Sequence, residues 1–201
     1  MAKKQLKTKS IEETLWESAN KLRGSVEPSE YKHVVLSLIF LKYANDRFEE
    51  RRNELIADGK AAFIDQAVFY NAKNVFYIEE QSRWSFIMEN AKQNDIAIKI
   101  DKALSAIEDS NPTLKGALPS NYYSGLGLDR AKLAALLDEI NKIDTLKDPE
   151  NDLIERVYEY FLAKFAIAEG KGKGEYYTPK SIVNLIAEII EPYRGKIYDP
   201  C

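Results

Sequence analysis

Apolar residues recur at helical spacing along most of this chain, and the polar residues between them supply the starts and stops. Ser10-Ile11-Glu12-Glu13 sets a serine and a glutamate three apart, the pairing in which each side chain can satisfy the other residue's backbone N–H at a helix start. Leu15, Trp16, Ala19 and Leu22 then share one helical face, which Gly24 ends. After Pro28 the run Val34-Val35-Leu36-Ser37-Leu38-Ile39-Phe40-Leu41 opens a long helix. It is apolar on nearly all sides up to Ala44 and charged through Asp46, Arg47, Glu49, Glu50, Arg51 and Arg52. Its first half is expected at the centre of the fold, its second half in solvent or against a partner.

Between Asp58 and Ala97 the period weakens, and Val75-Phe76-Tyr77-Ile78 reads as a short extended segment docked by Trp84, Phe86 and Ile87. Ile100, Ala103, Leu104 and Ile107 mark a helix from about Ile98 to Ser110, stopped by Asn111-Pro112. Pro119 to Gly127 reads as a loop in which Tyr122 and Tyr123 look exposed; they either recognise something or cover the edge of the core. Asp129 can cap a helix whose stripe is Leu133, Leu136, Leu137, Ile140 and Ile143. Asp148-Pro149-Glu150-Asn151 marks the domain junction, and a helix from about Asp152 to Ala168 turns Val157, Phe161, Leu162, Phe165 and Ala166 inward.

The end of the chain has a different grammar. Gly170, Gly172 and Gly174 break the preceding helix, Thr178 can cap the next one, and Pro179 suits its first turn, where no amide bond is lost. From Ser181 the residues Ile182, Val183, Leu185, Ile186, Ile189 and Ile190 keep helical spacing until Pro192. Gly195 then resets the chain into the extended run Lys196-Ile197-Tyr198-Asp199. A helix, a turn and a strand with an acid at its carboxyl end is the geometry in which open α/β sheets hold ligands. The fold class that follows is mainly α: a helical N-terminal domain over 1–149, then from 150 to 201 the first helix and strand of an α/β, Rossmann-like domain.

Composition narrows the chemistry. Twenty-nine basic against thirty-two acidic side chains leave a net charge of −3, so no pervasive positive field draws this chain to nucleic acid and any DNA contact is local. Lys3, Lys4, Lys7 and Lys9 at the N-terminus read either as a solvated tail or as phosphate contacts. The single cysteine, Cys201, excludes an internal disulfide and a cysteine-based zinc site, which points to a reducing, cytoplasmic setting. Neither a signal peptide nor a membrane span is expected: the apolar run beside His33 is far shorter than the roughly 20 residues a bilayer requires.

Few residues carry catalytic promise. Gly170-Lys171-Gly172-Lys173-Gly174 lacks phosphate-loop spacing and follows a helix instead of a strand, so it reads as a flexible connection. Cys201 and His33 do not make a nucleophile pair, since one is terminal and the other opens a core helix. Glu12-Glu13 and Glu49-Glu50 are sequence neighbours that diverge on a helix, which makes them solvated faces. No catalytic residue and no metal site is assigned.

Taken together, Gly174-Glu175-Tyr176-Tyr177-Thr178-Pro179-Lys180, the apolar helix after it and the strand ending Asp199-Pro200-Cys201 resemble the opening of the methyltransferase domain in the M subunit of type I restriction-modification systems. In that family G-E-F/Y-Y/F-T-P-R/K and a strand ending D-P-x-C-G-S/T-G-G bind S-adenosylmethionine, and Cys201 falls on the variable x. Residues 22–32, 39–49 and 152–162 resemble the helical N-terminal domain and its junction in the same subunit, so the likeness covers the whole chain; Glu155 stands where the family often has glycine.

The resemblance implies S-adenosylmethionine as cofactor of the intact enzyme, held by Glu175, Tyr176, Tyr177, Thr178, Pro179, Lys180 and Asp199. It implies methyl transfer to adenine N6 in DNA, and as partners DNA, a specificity subunit and a restriction subunit, with no membrane. The family's N/D-P-P-F/Y motif is absent: Asn111-Pro112-Thr113 and Asp148-Pro149-Glu150 carry one proline each and the wrong successor. The segment is therefore expected to be truncated before its catalytic centre and inactive alone. Its helical domain would contact DNA or partner subunits, and the alternative is a non-catalytic helical module that binds protein or DNA.

Overall fold

The computed structural model describes residues 10–20, 22, 30–146, 153–168 and 180–191, all of them helix, turn or irregular chain. Nine α-helices are found among these: α1 (Ile11–Asn20), α2 (Tyr31–Ala57), α3 (Val68–Asn71), α4 (Trp84–Asn90), α5 (Ile96–Ser110), α6 (Tyr122–Gly125), α7 (Arg130–Asn141), α8 (Leu153–Ala168) and α9 (Lys180–Ile190). The mainly α expectation holds for the described residues. The strand expected at 196–199 and the junction at 148–151 lie outside them.

Two compact units are distinguished, Met1–Phe161 and Leu162–Cys201, with the division inside α8. The first is organised around α2, a rod of 27 residues and roughly 40 Å. Helices α1, α4 and α7 lie against it, while α5 carries α6 and α4. The core consists of the stripes that periodicity marks: Leu15 and Ala19 of α1, Val34, Leu38, Ile39 and Leu41 of α2, Ile100, Leu104 and Ile107 of α5, and Leu133, Leu137 and Ile140 of α7.

Local capping rules account for two helix starts. At α1 the Glu13 N–H donates to Ser10 Oγ (3.2 Å) and the Ser10 N–H donates back to Glu13 Oε2 (3.3 Å). At α7 the Lys132 N–H donates to Asp129 Oδ1 at 2.9 Å. Two short helices are capped from a distance instead. The buried Asp101 of α5 accepts the N–H groups of Tyr123 and Ser124 at the start of α6, both at 2.9 Å. Asn45 of α2 accepts the Trp84 N–H that opens α4, at 2.9 Å. First-turn N–H groups have no partner inside their own helix, and here long helices supply it.

Two expectations are corrected. The second half of α2 does not project: Phe48 and Leu55 are fully buried among its charges, and Phe48 stacks on Tyr70 with ring centroids 4.7 Å apart. Seven-residue spacing keeps Phe48 and Leu55 on one stripe, a face too narrow to outweigh the surrounding charges in a sequence average. Tyr123 is not exposed but wholly buried, in a one-turn helix that Asp101 pins, whereas Tyr122 is half-buried. The Tyr123 hydroxyl donates to the Val34 carbonyl at 2.6 Å and shares a 2.7 Å hydrogen bond with the Ser37 hydroxyl.

The segment at 75–78 is irregular chain, with Val75 and Ile78 buried. Its ring contacts are with Phe40, Phe48 and Tyr70. It is fixed by Asn111, which accepts the Tyr77 N–H (2.9 Å) while its amide nitrogen donates to the carbonyls of Tyr77 (2.9 Å) and Ile107 (2.7 Å).

Candidate functional site

Of the seven residues assigned to the cofactor, Glu175, Tyr176, Tyr177, Thr178, Pro179 and Asp199 lie outside the described residues, and Lys180 is placed only as the first residue of α9. The helix they were expected to open is present, with the predicted apolar set on it. Ile182, Val183, Leu185, Ile186, Ile189 and Ile190 are all exposed, Ile189 by 73%. The other residues weighed at the sequence level are also dispersed: His33 is exposed on the first turn of α2 with its ring 6.4 Å from that of Tyr122, and Cys201 is outside the described residues.

Two of the clefts lined by described residues open on the first unit. The larger, about 650 Å³, has Leu36, Phe40, Leu118 and Pro119 among its apolar walls and Glu30, His33 and Tyr122 among its polar ones. Tyr122 donates its hydroxyl proton to the Glu30 carboxylate. Partial burial and then that carboxylate push the Tyr122 phenol well above its ordinary value, so it stays a neutral donor. The second cleft, about 460 Å³, runs between α2 and the end of α7, where Lys42, Asp46, Glu49, Glu50, Lys142 and Asp144 mix both charges. Asp46 is held there by Lys42 and by the Thr145 hydroxyl at 2.7 Å.

Neither cleft is built like a catalytic centre. Among the described residues no group of His, Cys, Asp and Glu is arranged to hold a metal, and no helix is long and apolar enough to cross a membrane. Glu12, far from nucleophilic work, makes an ion pair with Arg156 at 3.0 Å. Burial would raise its carboxyl pKa, but hydrogen bonds from its backbone and Ser10, and the Arg156 charge, together hold it below the ordinary value. That pair joins α1 to α8, beside the edge-on contact of Trp16 and Phe161, whose ring centroids are 5.1 Å apart.

A helical body with an amphipathic helix after it is a common arrangement, and comparison with known proteins decides what this one is. Residues 11–143 match the HsdM N-terminal domain, and residues 149–201 match the N-6 DNA Methylase family. The chain belongs to the HsdM N-terminal domain family.

Its relatives include the type I restriction enzyme MjaIX methylase subunit of Methanocaldococcus jannaschii, 34% identical over 96% of this chain and 37% of that protein. The HindI methylase subunit of Haemophilus influenzae is 42% identical over 54% of this chain and 26% of its own length. The MpnII methylase subunit of Mycoplasma pneumoniae is 26% identical over 89% and 39%. The resemblance to type I methylase subunits read from the sequence therefore holds. The chain spans less than two-fifths of the length of each of these relatives.

For a member of this family, the residues that sequence reasoning missed are those of the helical body: the Asp101 and Asn45 caps and the Asn111 clamp. Nothing in the local sequence marks them, because each acts on residues 22 to 39 positions away.

Proposed function

We propose that this chain is the N-terminal part of a type I restriction methylase subunit that transfers a methyl group from S-adenosylmethionine to adenine N6 in DNA. The observation that carries the reading is the 34% identity to the MjaIX methylase subunit over 96% of this chain, across the helical domain and the methyltransferase opening alike. The helical domain occupies 1–149 and contacts DNA, partner subunits or both. The methyltransferase domain begins at 150, and Lys196 to Asp199 form its first Rossmann-like strand. The subunit works with a specificity subunit that reads the bases and a restriction subunit.

Glu175, Tyr176, Tyr177, Thr178, Pro179, Lys180 and Asp199 hold the cofactor in this reading. Their chemistry suits it: a sulfonium cation and an adenine ring are matched by aromatic faces and by carboxylates. When bound, S-adenosylmethionine supplies the methyl group. Thr178 caps α9 and fixes where the two tyrosines leave the loop. The target adenine has to leave the base stack to reach the methyl group, and its amine needs hydrogen-bond acceptors of the N/D-P-P-F/Y type. The 201 residues contain no such motif, so this segment alone transfers nothing.

The test is methyl transfer from labelled S-adenosylmethionine to duplex DNA. The full-length subunit with its specificity subunit is expected to label adenine N6, and the 201-residue chain to label nothing. No adenine methylation by the full assembly would overturn the reading, and labelling by the short chain would overturn the assignment of its catalytic acceptors elsewhere.

A further inference from the structure

Lys42, Arg47 and Arg51 of α2 are neutralised within their own helix, by Asp46, by Glu50 at 2.9 Å and by Glu54 at 2.6 Å. A different arrangement stands where the loop before α5 meets the start of α7. Residues 90–102 and 128–132 carry five basic side chains against three acids, on a chain whose net charge is −3. One of the three acids, Asp101, is buried and spent on the first N–H groups of α6. The other two are engaged as well: Asp95 accepts from Lys99 at 2.9 Å, and Asp129 accepts the Lys132 N–H in the first turn of α7.

Lys99 organises the loop. Its ammonium donates to Asn90 and Asp95, both at 2.9 Å, and to Gln93, which uses its three donors on the side chains around it. Arg130, the first residue of α7, donates from one guanidinium nitrogen to Asn94 and so ties the start of that helix to the same loop. Lys102 lies seven residues beyond Asp95, two turns along the same face of α5. Its field reaches the loop: the hydrogen bond from Lys99 first, and the charges of Lys99 and Lys102 after it, hold the Asp95 carboxyl below its ordinary value.

Lys92, Lys102 and Arg130 are exposed, and among the described residues none of them is in an ion pair. They are cations with free donors at the surface, around a loop that Lys99 holds in place. We propose that Lys102 and Arg130, with Lys92 on the loop itself, form the face of the helical domain that binds the phosphodiester backbone of duplex DNA. The proposal rests on the DNA-contacting role given above to the helical domain and names the surface that carries it. An arginine fork and a lysine point charge both suit phosphate oxygens, and a small preformed cluster lets a chain of net charge −3 make a local contact. Backbone contacts carry no base preference, which leaves sequence reading to the specificity subunit.

The test is duplex DNA binding by the full-length subunit with its specificity subunit, measured between about 50 and 200 mM salt on target and non-target duplexes, with cofactor titration on the same samples. Wild type is compared with Lys102→Gln, Arg130→Gln and, as a control, Lys60→Gln, whose charge is already paired with Asp58 at 3.3 Å. Lys102→Gln and Arg130→Gln are each expected to reduce the slope of log affinity against log salt by about 0.9 and to bind roughly fivefold to tenfold more weakly near 0.1 M salt, equally on both duplexes. Cofactor binding is expected to stay unchanged, and Lys60→Gln to behave as wild type. Should Arg130→Gln disturb the loop by losing the Asn94 bond, Lys102→Gln carries the test, since its side chain is exposed.

Wild-type slope and affinity in Lys102→Gln would overturn the DNA face and leave the methyltransferase reading intact. So would an equal loss in Lys60→Gln, which would make the effect one of net charge alone, and a loss confined to the target duplex, which would make the contact one to bases. Weaker assembly with the specificity subunit, with an unchanged salt slope for the assembled complex, would assign the face to a protein partner and overturn the DNA contact. Failure of wild type to bind either cofactor or DNA would overturn the DNA face and the methyltransferase reading together.

Discussion

Helices α5 and α9 carry the same kind of apolar stripe and meet opposite fates. In α5, Ile100, Leu104 and Ile107 have no exposed surface, and α4 and α6 pack against that helix. In α9, Leu185 and Ile189 are 56% and 73% exposed although the helix is just as regular. Periodicity decides that a helix forms with one greasy side; a second element decides whether that side stabilises anything. Burial of one such side chain contributes about 1.5–3 kcal/mol, so the stripe of α5 is a large part of what holds the first unit together and that of α9 is not.

The most severe way to probe this contrast is to remove the same bulk from both helices. Leu104→Ala in the 201-residue chain is expected to cost about 3 kcal/mol, and Ile189→Ala to stay within about 0.5 kcal/mol of wild type, by urea denaturation. Equal losses would mean that α9 is as well covered as α5.

The next effect sharpens the contrast on the polar side. Asn111 closes α5 and clamps the segment at Tyr77 with three hydrogen bonds. Asn111→Ala strands buried backbone groups and is expected to cost about 2–3 kcal/mol, with faster amide exchange at residue 77; an unchanged exchange rate would show that the segment does not depend on the clamp.

A smaller effect follows pH. Burial, with help from Glu30 for Tyr122, raises the phenols of Tyr122 and Tyr123 above their ordinary value near 10. Above pH 10 the unfolded chain releases these protons and the folded chain keeps them. The stabilisation is complete below pH 10 and declines as pH rises further. Tyr122→Phe is expected to flatten that alkaline decline measurably in melts between pH 9 and 11, and an identical slope would contradict the assignment.

How far all this is legible in the sequence depends on how far each interaction reaches. The Ser10–Glu13 box and the Asp129 cap are visible because donor and acceptor are three residues apart. The stripes of α5 and α7 are visible because the helix repeats them. The starts of α4 and α6 are not, since Asn45 and Asp101 reach them from other helices, and with α6 goes the burial of Tyr123. Phe48 and Leu55 are masked by the charges of α2 that surround them. The cofactor block is the reverse case: Gly174 to Lys180 stand out in the sequence by resemblance alone, and all but Lys180 lie outside the described residues.

Calorimetric titration of S-adenosylmethionine into the full-length subunit, with thermal melting of the same preparations, tests the central claim most directly. Wild type is expected to bind the cofactor, Tyr176→Ala and Tyr177→Ala to bind it more weakly while melting near wild type, and Thr178→Ala to lose about 1 kcal/mol of helix stability from the missing cap. Both tyrosine variants titrating like wild type would contradict the account and reduce Glu175 to Lys180 to the packed start of a helix.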